Sequence, residues 1–126
     1  MPWYQVGMVA LGGVVGCLAR WGAGVWLNDR WSGFPLGTLF VNGVGGLLIG
    51  MALFWFERSP NESLRLLVIT GMLGGFTTFS SYSAESLMML QRGESMLAFA
   101  HAAAHVLGSL AAAAIGFKIA QLVLVR

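Results

Sequence analysis

The chain has 126 residues, of which 57% are hydrophobic and 10% are charged, and its net charge is +2. This composition excludes a soluble domain of this length, because too few polar side chains are present to cover its surface, and it indicates an integral membrane protein. The weak and scattered positive charge excludes a nucleic-acid-binding protein, and the single cysteine, Cys17, excludes a disulfide within the chain.

The first two predicted membrane helices cover about residues 3–27 and 36–56. A bilayer core about 30 Å thick requires about 20 helical residues, and both apolar segments are long enough. The first segment lacks a basic region before it and is longer than a signal peptide, so we expect a retained membrane helix with no soluble domain before it. The polar residues between Asn28 and Pro35 predict a loop.

The third and fourth predicted helices cover about residues 64–91 and 95–125. The turn "ERSPNES" precedes the third helix, where either Ser59 or Asn61 could act as the cap. The sequence "QRGES" separates the third helix from the fourth. The chain is therefore predicted to be an all-α integral membrane protein in which residues 1–126 form a single domain of four transmembrane helices. Both termini are expected on the same side of the membrane.

The third predicted helix contains the polar, glycine-rich segment "GGFTTFSSYS". Roughly 28 helical residues would reach about 42 Å, which exceeds the hydrocarbon thickness. A break near residues 74–78 would divide the span into two half-helices, and irregular backbone at membrane depth is tolerated only where it is buried in protein or lines a polar cavity. A steep tilt, or a kink that only packs against a neighbour, is the alternative.

The basic residues divide almost evenly between the two sides of the predicted bundle. One side has Arg58, Arg65, Arg126 and nearby Lys118, and the other has Arg30, Arg92 and nearby Arg20. The positive-inside rule needs a clear asymmetry to fix one orientation. The even distribution therefore predicts that the chain inserts both ways and forms an antiparallel dimer. A single dominant loop that fixes the topology is the alternative.

The small size of the chain also favours a dimer, because four short helices can hardly enclose a pore, whereas eight can. Pairs of glycines four residues apart offer flat surfaces for helix contact. These pairs are Gly12 with Gly16, Gly46 with Gly50, and Gly71 with Gly75.

Polar side chains recur along one face of three of the predicted helices. They are His101, His105 and Ser109 on the fourth; Thr38 and Asn42 on the second; and, after the predicted break, Ser81 and Glu85, with Phe79, Tyr82 and Ser86 on an adjoining face. Because buried polar groups in membrane helices usually face the bundle interior, these residues predict a file of hydrogen-bond donors.

Each polar residue also has a structural interpretation. Serine and threonine often bond their own helix backbone, and Asn42 could only link helices. Metal binding by His101 and His105 is disfavoured, because sites need three or four ligands and no carboxylate or cysteine lies beside them in sequence. Glu85 could reach from a helix end to the interface. Arg20 could do the same, or it could attract anions to a pore mouth.

No enzyme is expected from the sequence. The serines lack a plausible buried His–Asp partner arrangement, and no glycine-rich phosphate-binding loop lies between a strand and a helix.

Four segments of the chain together resemble the Fluc (CrcB) fluoride channel family. They are "CLARW" at 17–21, "GTLFVNGVGG" at 37–46, "GMLGGFTTFSSYSAE" at 71–85 and "HVLGS" at 105–109. The resemblance covers essentially the whole chain, with four spans in matching order, and its central GGxTTFS pattern is highly specific.

The resemblance implies an antiparallel, dual-topology homodimer in the cell (inner) membrane that conducts fluoride passively through two pores. It also implies a structural Na⁺ held by backbone carbonyls, which on this chain belong to Gly74 and Thr77. The implied pore residues are Phe79, Tyr82, Asn42, Ser80, Ser81, Glu85, His101, His105 and Ser109, with Arg20 in the vestibule. Fluoride and a second copy of the chain are the implied partners.

Two positions depart from the family pattern. Tyr82 stands where the family usually has phenylalanine, and its hydroxyl could donate to fluoride or to a neighbouring helix, whereas Ser81 replaces the common threonine.

Two further functions stay open as alternatives. One is a proton-coupled dual-topology exporter of small molecules that uses Glu85, although such exporters usually carry their acid in the first helix. The other is a non-transporting membrane protein in which the polar residues only join helices.

Overall fold

The computed structural model of the chain describes residues 2–31 and 33–125. Within these ranges all regular secondary structure is helical. The elements are α1 (Trp3–Leu27), α2 (Leu36–Arg58), α3 (Glu62–Arg65), a π-helical segment (Leu66–Leu73), α4 (Gly74–Phe76), α5 (Phe79–Gln91) and α6 (Ser95–Leu124). Arg126, which the charge count includes, lies outside the described residues.

Four helical spans in the described residues are long and apolar enough to cross a membrane: Trp3–Leu27, Leu36–Arg58, Glu62–Gln91 and Ser95–Leu124. The all-helical architecture with four long apolar spans therefore agrees with the prediction of a membrane protein. Large apolar side chains such as Leu11, Leu18 and Trp21 are exposed along α1. In a membrane such a surface faces lipid or another protein chain.

The helix starts follow from local sequence. Pro2 and Pro35 directly precede α1 and α2 with extended backbone, and proline is tolerated at a helix start because it has no N–H to donate. Asn61 caps α3, since its Oδ1 accepts the Leu64 N–H at 3.0 Å. Asn28 joins the ends of two helices, because its Oδ1 accepts the Gly37 N–H in the first turn of α2 at 2.7 Å.

Glycines permit close contact between the helices of one chain. A Cβ at Gly50 of α2 would meet the carbonyl oxygen of Ala113 of α6, and a Cβ at Gly16 of α1 would meet the carbonyl oxygen of Met72. Such backbone-to-backbone contact allows tight packing of membrane helices. The chain thus forms two intimate pairs: α2 with α6, and α1 with the first part of the third span.

The third span changes backbone conformation along its length. After the π-helical segment and α4, Thr77 (φ −85°, ψ 160°) and Thr78 (φ −152°, ψ 117°) have extended backbone, and α5 begins at Phe79. We call these two residues the Thr77–Thr78 link. The link brings its backbone polar groups beside α2, and the polar residues of the chain are arranged around it.

Candidate functional site

The Thr77–Thr78 link is held by the side chain of Asn42 on α2. Asn42 Oδ1 accepts the Thr78 N–H at 2.8 Å, and Asn42 Nδ2 donates to the Thr78 carbonyl oxygen at 3.0 Å. Backbone groups that leave a helix need new partners when water is excluded. The Asn42 amide supplies both a donor and an acceptor, so it replaces a backbone partner for Thr78.

Thr78 also forms the N-cap of α5. Its Oγ1 accepts the Ser81 N–H at 3.1 Å and lies 3.3 Å from Ser80 Oγ. Threonine is a favoured N-cap because its hydroxyl satisfies one of the free N–H groups in the first helical turn. The cap determines where α5 starts, and therefore where Phe79 and Tyr82 lie.

The link diverts the usual hydrogen-bond donors of two carbonyl groups. In a continuous α-helix the Thr78 N–H would donate to the Gly74 carbonyl and the Ser81 N–H to the Thr77 carbonyl. Here the Thr78 N–H donates to Asn42 and the Ser81 N–H donates to the Thr78 hydroxyl. The Gly74 and Thr77 carbonyls are the two groups that the family resemblance implies as Na⁺ ligands. Carbonyl oxygens released in this way suit a hard cation.

Arg20 connects α1 to the same region. Its Nε donates to the Gly75 carbonyl oxygen at 2.9 Å. Arg20 also lines a recess of about 350 Å³ together with Thr38, Thr78 and Ser81. A positive charge is therefore present beside several hydroxyl groups, an arrangement that attracts anions.

A polar cluster lies between α2, α5 and α6. Thr38 Oγ1 donates to Glu85 Oε2 at 2.5 Å, and His101 Nε2 donates to Glu85 Oε1 at 3.1 Å. Ser86 Oγ lies 2.9 Å from His101 Nδ1. Thr38 and His101 are buried. The fold thus brings a carboxylate beside His101 that the sequence neighbourhood does not contain.

His105 lies one helical turn after His101 and is also buried. Its Nδ1 is 3.1 Å from Asn42 Nδ2. Among the described residues His105 Nε2 has no hydrogen-bond partner. Ser109, a further turn along α6, donates from Oγ to the Asn42 backbone carbonyl at 3.3 Å. Asn42 therefore contacts α6 as well as the link.

Aromatic rings extend from the link to the histidines. The Phe79 and Tyr82 ring centroids are 5.3 Å apart. The Tyr82 ring stacks on His101, with centroids 5.2 Å apart and an interplanar angle of 13°, and its centroid is 4.7 Å from that of His105. Phe79 is 77% exposed in the single chain. The row thus begins at the protein surface and ends at buried imidazoles.

An open cavity of about 460 Å³ lies along this row. The predicted site residues that line it are Asn42, Gly74, Thr77, Phe79, Tyr82, His105 and Ser109. Arg20 and Ser81 line the separate recess instead. Glu85 and His101 belong to the polar cluster, and Ser80 is exposed beside Thr78.

The site also includes residues that the site prediction left out. Thr38 bonds Glu85, Ser86 contacts His101, and Thr78 holds the link. The helical spacing of the sequence could have identified Thr38 and Ser86, because each falls on a predicted polar or aromatic helix face. Thr78 had only its position within the glycine-rich segment.

The family described as "CrcB-like protein, Camphor Resistance (CrcB)" matches residues 7–117 of this chain. The chain belongs to the CrcB-like family. The resemblance found in the sequence motifs is therefore confirmed. Residues 7–117 include every predicted site residue, from Arg20 to Ser109.

Curated relatives match over nearly the whole chain. A relative from Thiobacillus denitrificans is 48% identical over 115 residues, covering 86% of this chain and 90% of the relative. One from Bordetella petrii is 48% identical, covering 90% and 88%. One from Marinobacter nauticus is 41% identical, covering 96% and 98%. All three are named "Fluoride-specific ion channel FluC". These names describe ion channels rather than enzymes, in agreement with the expectation from the sequence.

Proposed function

We propose that this chain forms a fluoride-selective passive ion channel. The observation that carries the proposal is the name shared by relatives that are 41–48% identical over most of the chain. The cavity beside the Thr77–Thr78 link supports it, because its lining includes the polar side chains of Asn42, His105 and Ser109 together with aromatic rings.

The chemistry of the cavity suits a small, strongly hydrated anion. Fluoride can leave water only if the protein replaces its hydrogen bonds, and hydroxyl, amide and imidazole N–H groups are donors. The edges of the Phe79 and Tyr82 rings carry partial positive charge and can face an anion. The proposed path comprises Phe79, Tyr82, Asn42, Ser80, Ser81, Glu85, His101, His105 and Ser109, with Arg20 at its vestibule.

The working unit in this proposal is an antiparallel homodimer with two pores. The exposed position of Phe79 at the open cavity supports a second copy, because lipid cannot solvate the polar groups of the cavity and another protein surface would have to close it. The nearly even distribution of basic residues supports insertion in both orientations.

We further propose that the Thr77–Thr78 link is a break of the third helix at mid-membrane and that it serves a structural Na⁺. The link lies near the middle of the span Glu62–Gln91. Its diverted donors leave the Gly74 and Thr77 carbonyls suited to hold the ion, and a two-fold pair of chains would supply four such oxygens. The role of the positive ion would be to offset the repulsion between the partial negative charges of carbonyl oxygens that face one another at the dimer centre.

The proposed location is the inner membrane, with fluoride leaving the cell. Fluoride enters cells as neutral HF in acid surroundings and dissociates inside. A passive channel then lets the trapped anion move out along its electrochemical gradient, and no coupling ion is required.

A second candidate, a proton-coupled exporter, is supported by the contact between Glu85 and His101, since a carboxylate bonded to an imidazole can exchange protons. Liposomes distinguish the two functions. A channel releases fluoride under a potassium-diffusion potential without a pH gradient. Transport of a small molecule that requires a pH gradient and is lost in Glu85→Gln would instead identify the exporter.

A further inference from the structure

His105 has a buried ring nitrogen that no described residue satisfies. The side chain is 4% exposed, and Nε2 has no hydrogen-bond partner among the described residues. Leaving a buried polar atom unpaired costs free energy. The other ring nitrogen, Nδ1, is 3.1 Å from Asn42 Nδ2. The role of Nε2 therefore depends on which of the two nitrogens carries the hydrogen.

The orientation of the Asn42 amide is fixed by Thr78. The Thr78 N–H can only donate, so the Asn42 atom 2.8 Å from it must be the carbonyl oxygen. The Thr78 carbonyl oxygen can only accept, so the atom 3.0 Å from it must be the amide nitrogen. A flipped amide would place donor against donor and acceptor against acceptor. The link thus determines which end of the Asn42 amide faces His105.

The amide nitrogen of Asn42 has two hydrogens and no acceptor capacity. One hydrogen is used by Thr78, and the other faces His105 Nδ1. Nδ1 must therefore accept, and a neutral imidazole whose Nδ1 accepts carries its hydrogen on Nε2. The unpartnered atom is thus an N–H donor.

We infer that Asn42 is a positioning residue, held by the peptide groups of Thr78, that fixes His105 as the Nε2–H tautomer and so provides a buried donor for a small anion. The identity of that anion as fluoride depends on the proposed function. The tautomer does not.

The same geometry disfavours a metal ion at this position. Ligand atoms of Glu85, His101 and His105 lie within 4.8 Å of one another, which fits the composition of a metal site. A metal bound at His105 Nε2 needs a lone pair there, and therefore a hydrogen on Nδ1. That hydrogen would face the Asn42 N–H. The amide orientation thus selects an anion over a cation.

The neighbouring carboxylate limits how tightly an anion is held. The Glu85 carboxylate accepts hydrogen bonds from Thr38 and His101, but its negative charge remains near His105. Repulsion from this charge opposes the attraction of the N–H donor. Conduction requires binding that is favourable enough for entry and weak enough for release.

The test is ¹⁵N NMR of the imidazoles in the full-length protein in detergent or nanodiscs. The chain has 2 histidines, and subtraction of the His105→Gln spectrum assigns the signals. We expect an unprotonated nitrogen at His105 Nδ1 and a protonated nitrogen at Nε2. The reverse pattern would overturn the inference, and this measurement does not depend on any variant of Asn42.

Asn42→Asp tests the positioning role. The new carboxylate would still accept the Thr78 N–H, would lose the donation to the Thr78 carbonyl oxygen, and would accept from His105 Nδ1–H, so the tautomer is expected to reverse. Ser86→Ala is the matched control, since Ser86 contacts His101 and should leave the His105 pattern unchanged. If Asn42→Asp folds and keeps the wild-type tautomer, Asn42 does not set it.

Titration with ions tests the ligand class. Sodium fluoride should shift the wild-type His105 Nε2–H signal, whereas chloride at equal ionic strength should not. Zinc should leave the wild-type signals in place and shift those of Asn42→Asp. A zinc-dependent shift of wild-type His105 would contradict the inference.

The outcomes separate this inference from the proposed function. The expected tautomer without a fluoride shift or fluoride flux would refute the channel and the anion donor but retain the positioning role of Asn42. Fluoride flux with the opposite tautomer would refute the positioning role alone.

Discussion

Phe79 is the residue whose surroundings most clearly imply a function beyond packing. It is 77% exposed in the single chain, yet it directly follows the Thr77–Thr78 link and lies 5.3 Å from the Tyr82 ring. Exposure alone does not distinguish Phe79, because many apolar side chains of this chain are exposed and can face lipid, but Phe79 also lines the cavity beside the link. The proposed role of its ring edge, as a partner for fluoride, depends on aromatic character rather than on volume.

Phe79→Ile should therefore abolish fluoride efflux while the dimer remains intact. Isoleucine is apolar but has no aromatic edge. Efflux from liposomes and size-exclusion chromatography measure the two properties. Phe99→Ile is a matched control, because Phe99 is 72% exposed but does not line the cavity. Efflux at the wild-type rate in Phe79→Ile would remove this ring from the path.

Tyr82 combines the expected ring with an unexpected hydroxyl. Because the ring stacks on His101 and contacts His105, Tyr82→Phe retains this packing. We expect an efflux rate within about twofold of wild type for Tyr82→Phe, and a loss of about tenfold or more for Tyr82→Leu. A comparable loss in Tyr82→Phe would show that the hydroxyl is itself a required donor.

Sequence periodicity predicted which residues share a helix face but not which faces meet. Thr38 with Asn42, and His101 with His105, were predicted as polar lines from their four-residue spacing. The contacts of Asn42 with Thr78 and of Glu85 with His101 join different helices. Such pairs depend on how helices pack, and no local propensity encodes them.

At the scale of elements, hydropathy and loop signals predicted four long spans, and the structure has them. Length and glycine content also drew attention to residues 74–78. No feature of the sequence predicted the π-helical winding at Leu66–Leu73. An apolar sequence is compatible with either winding, so composition and hydropathy do not predict it.

The Thr77–Thr78 link gives a prediction at this scale. If the Gly74 and Thr77 carbonyls hold Na⁺, replacing Na⁺ with N-methylglucamine should lower the thermal midpoint of the purified protein. A ligand at one hundred times its Kd stabilises the folded state by about 2.7 kcal/mol. Differential scanning fluorimetry at constant ionic strength measures the change. An unchanged midpoint from millimolar to zero Na⁺ would contradict a structural ion.

At the scale of the whole molecule, the account requires both orientations of the chain in one membrane. In a Cys17→Ser background, Ser59→Cys places a single thiol in the turn between α2 and α3. A membrane-impermeant maleimide should label about half of the chains from each side, since the charge distribution favours neither orientation. Labelling from one side alone would exclude a dual-topology dimer.

Fluoride efflux is the measurement that tests the central claim most directly. Purified protein is reconstituted into liposomes loaded with equal concentrations of fluoride and chloride. A potassium-diffusion potential is applied without a pH gradient, and ion-selective electrodes record both anions. The account predicts rapid release of fluoride with chloride retained. Retention of fluoride by liposomes that contain well-folded dimer, or release of both anions at similar rates, would contradict it.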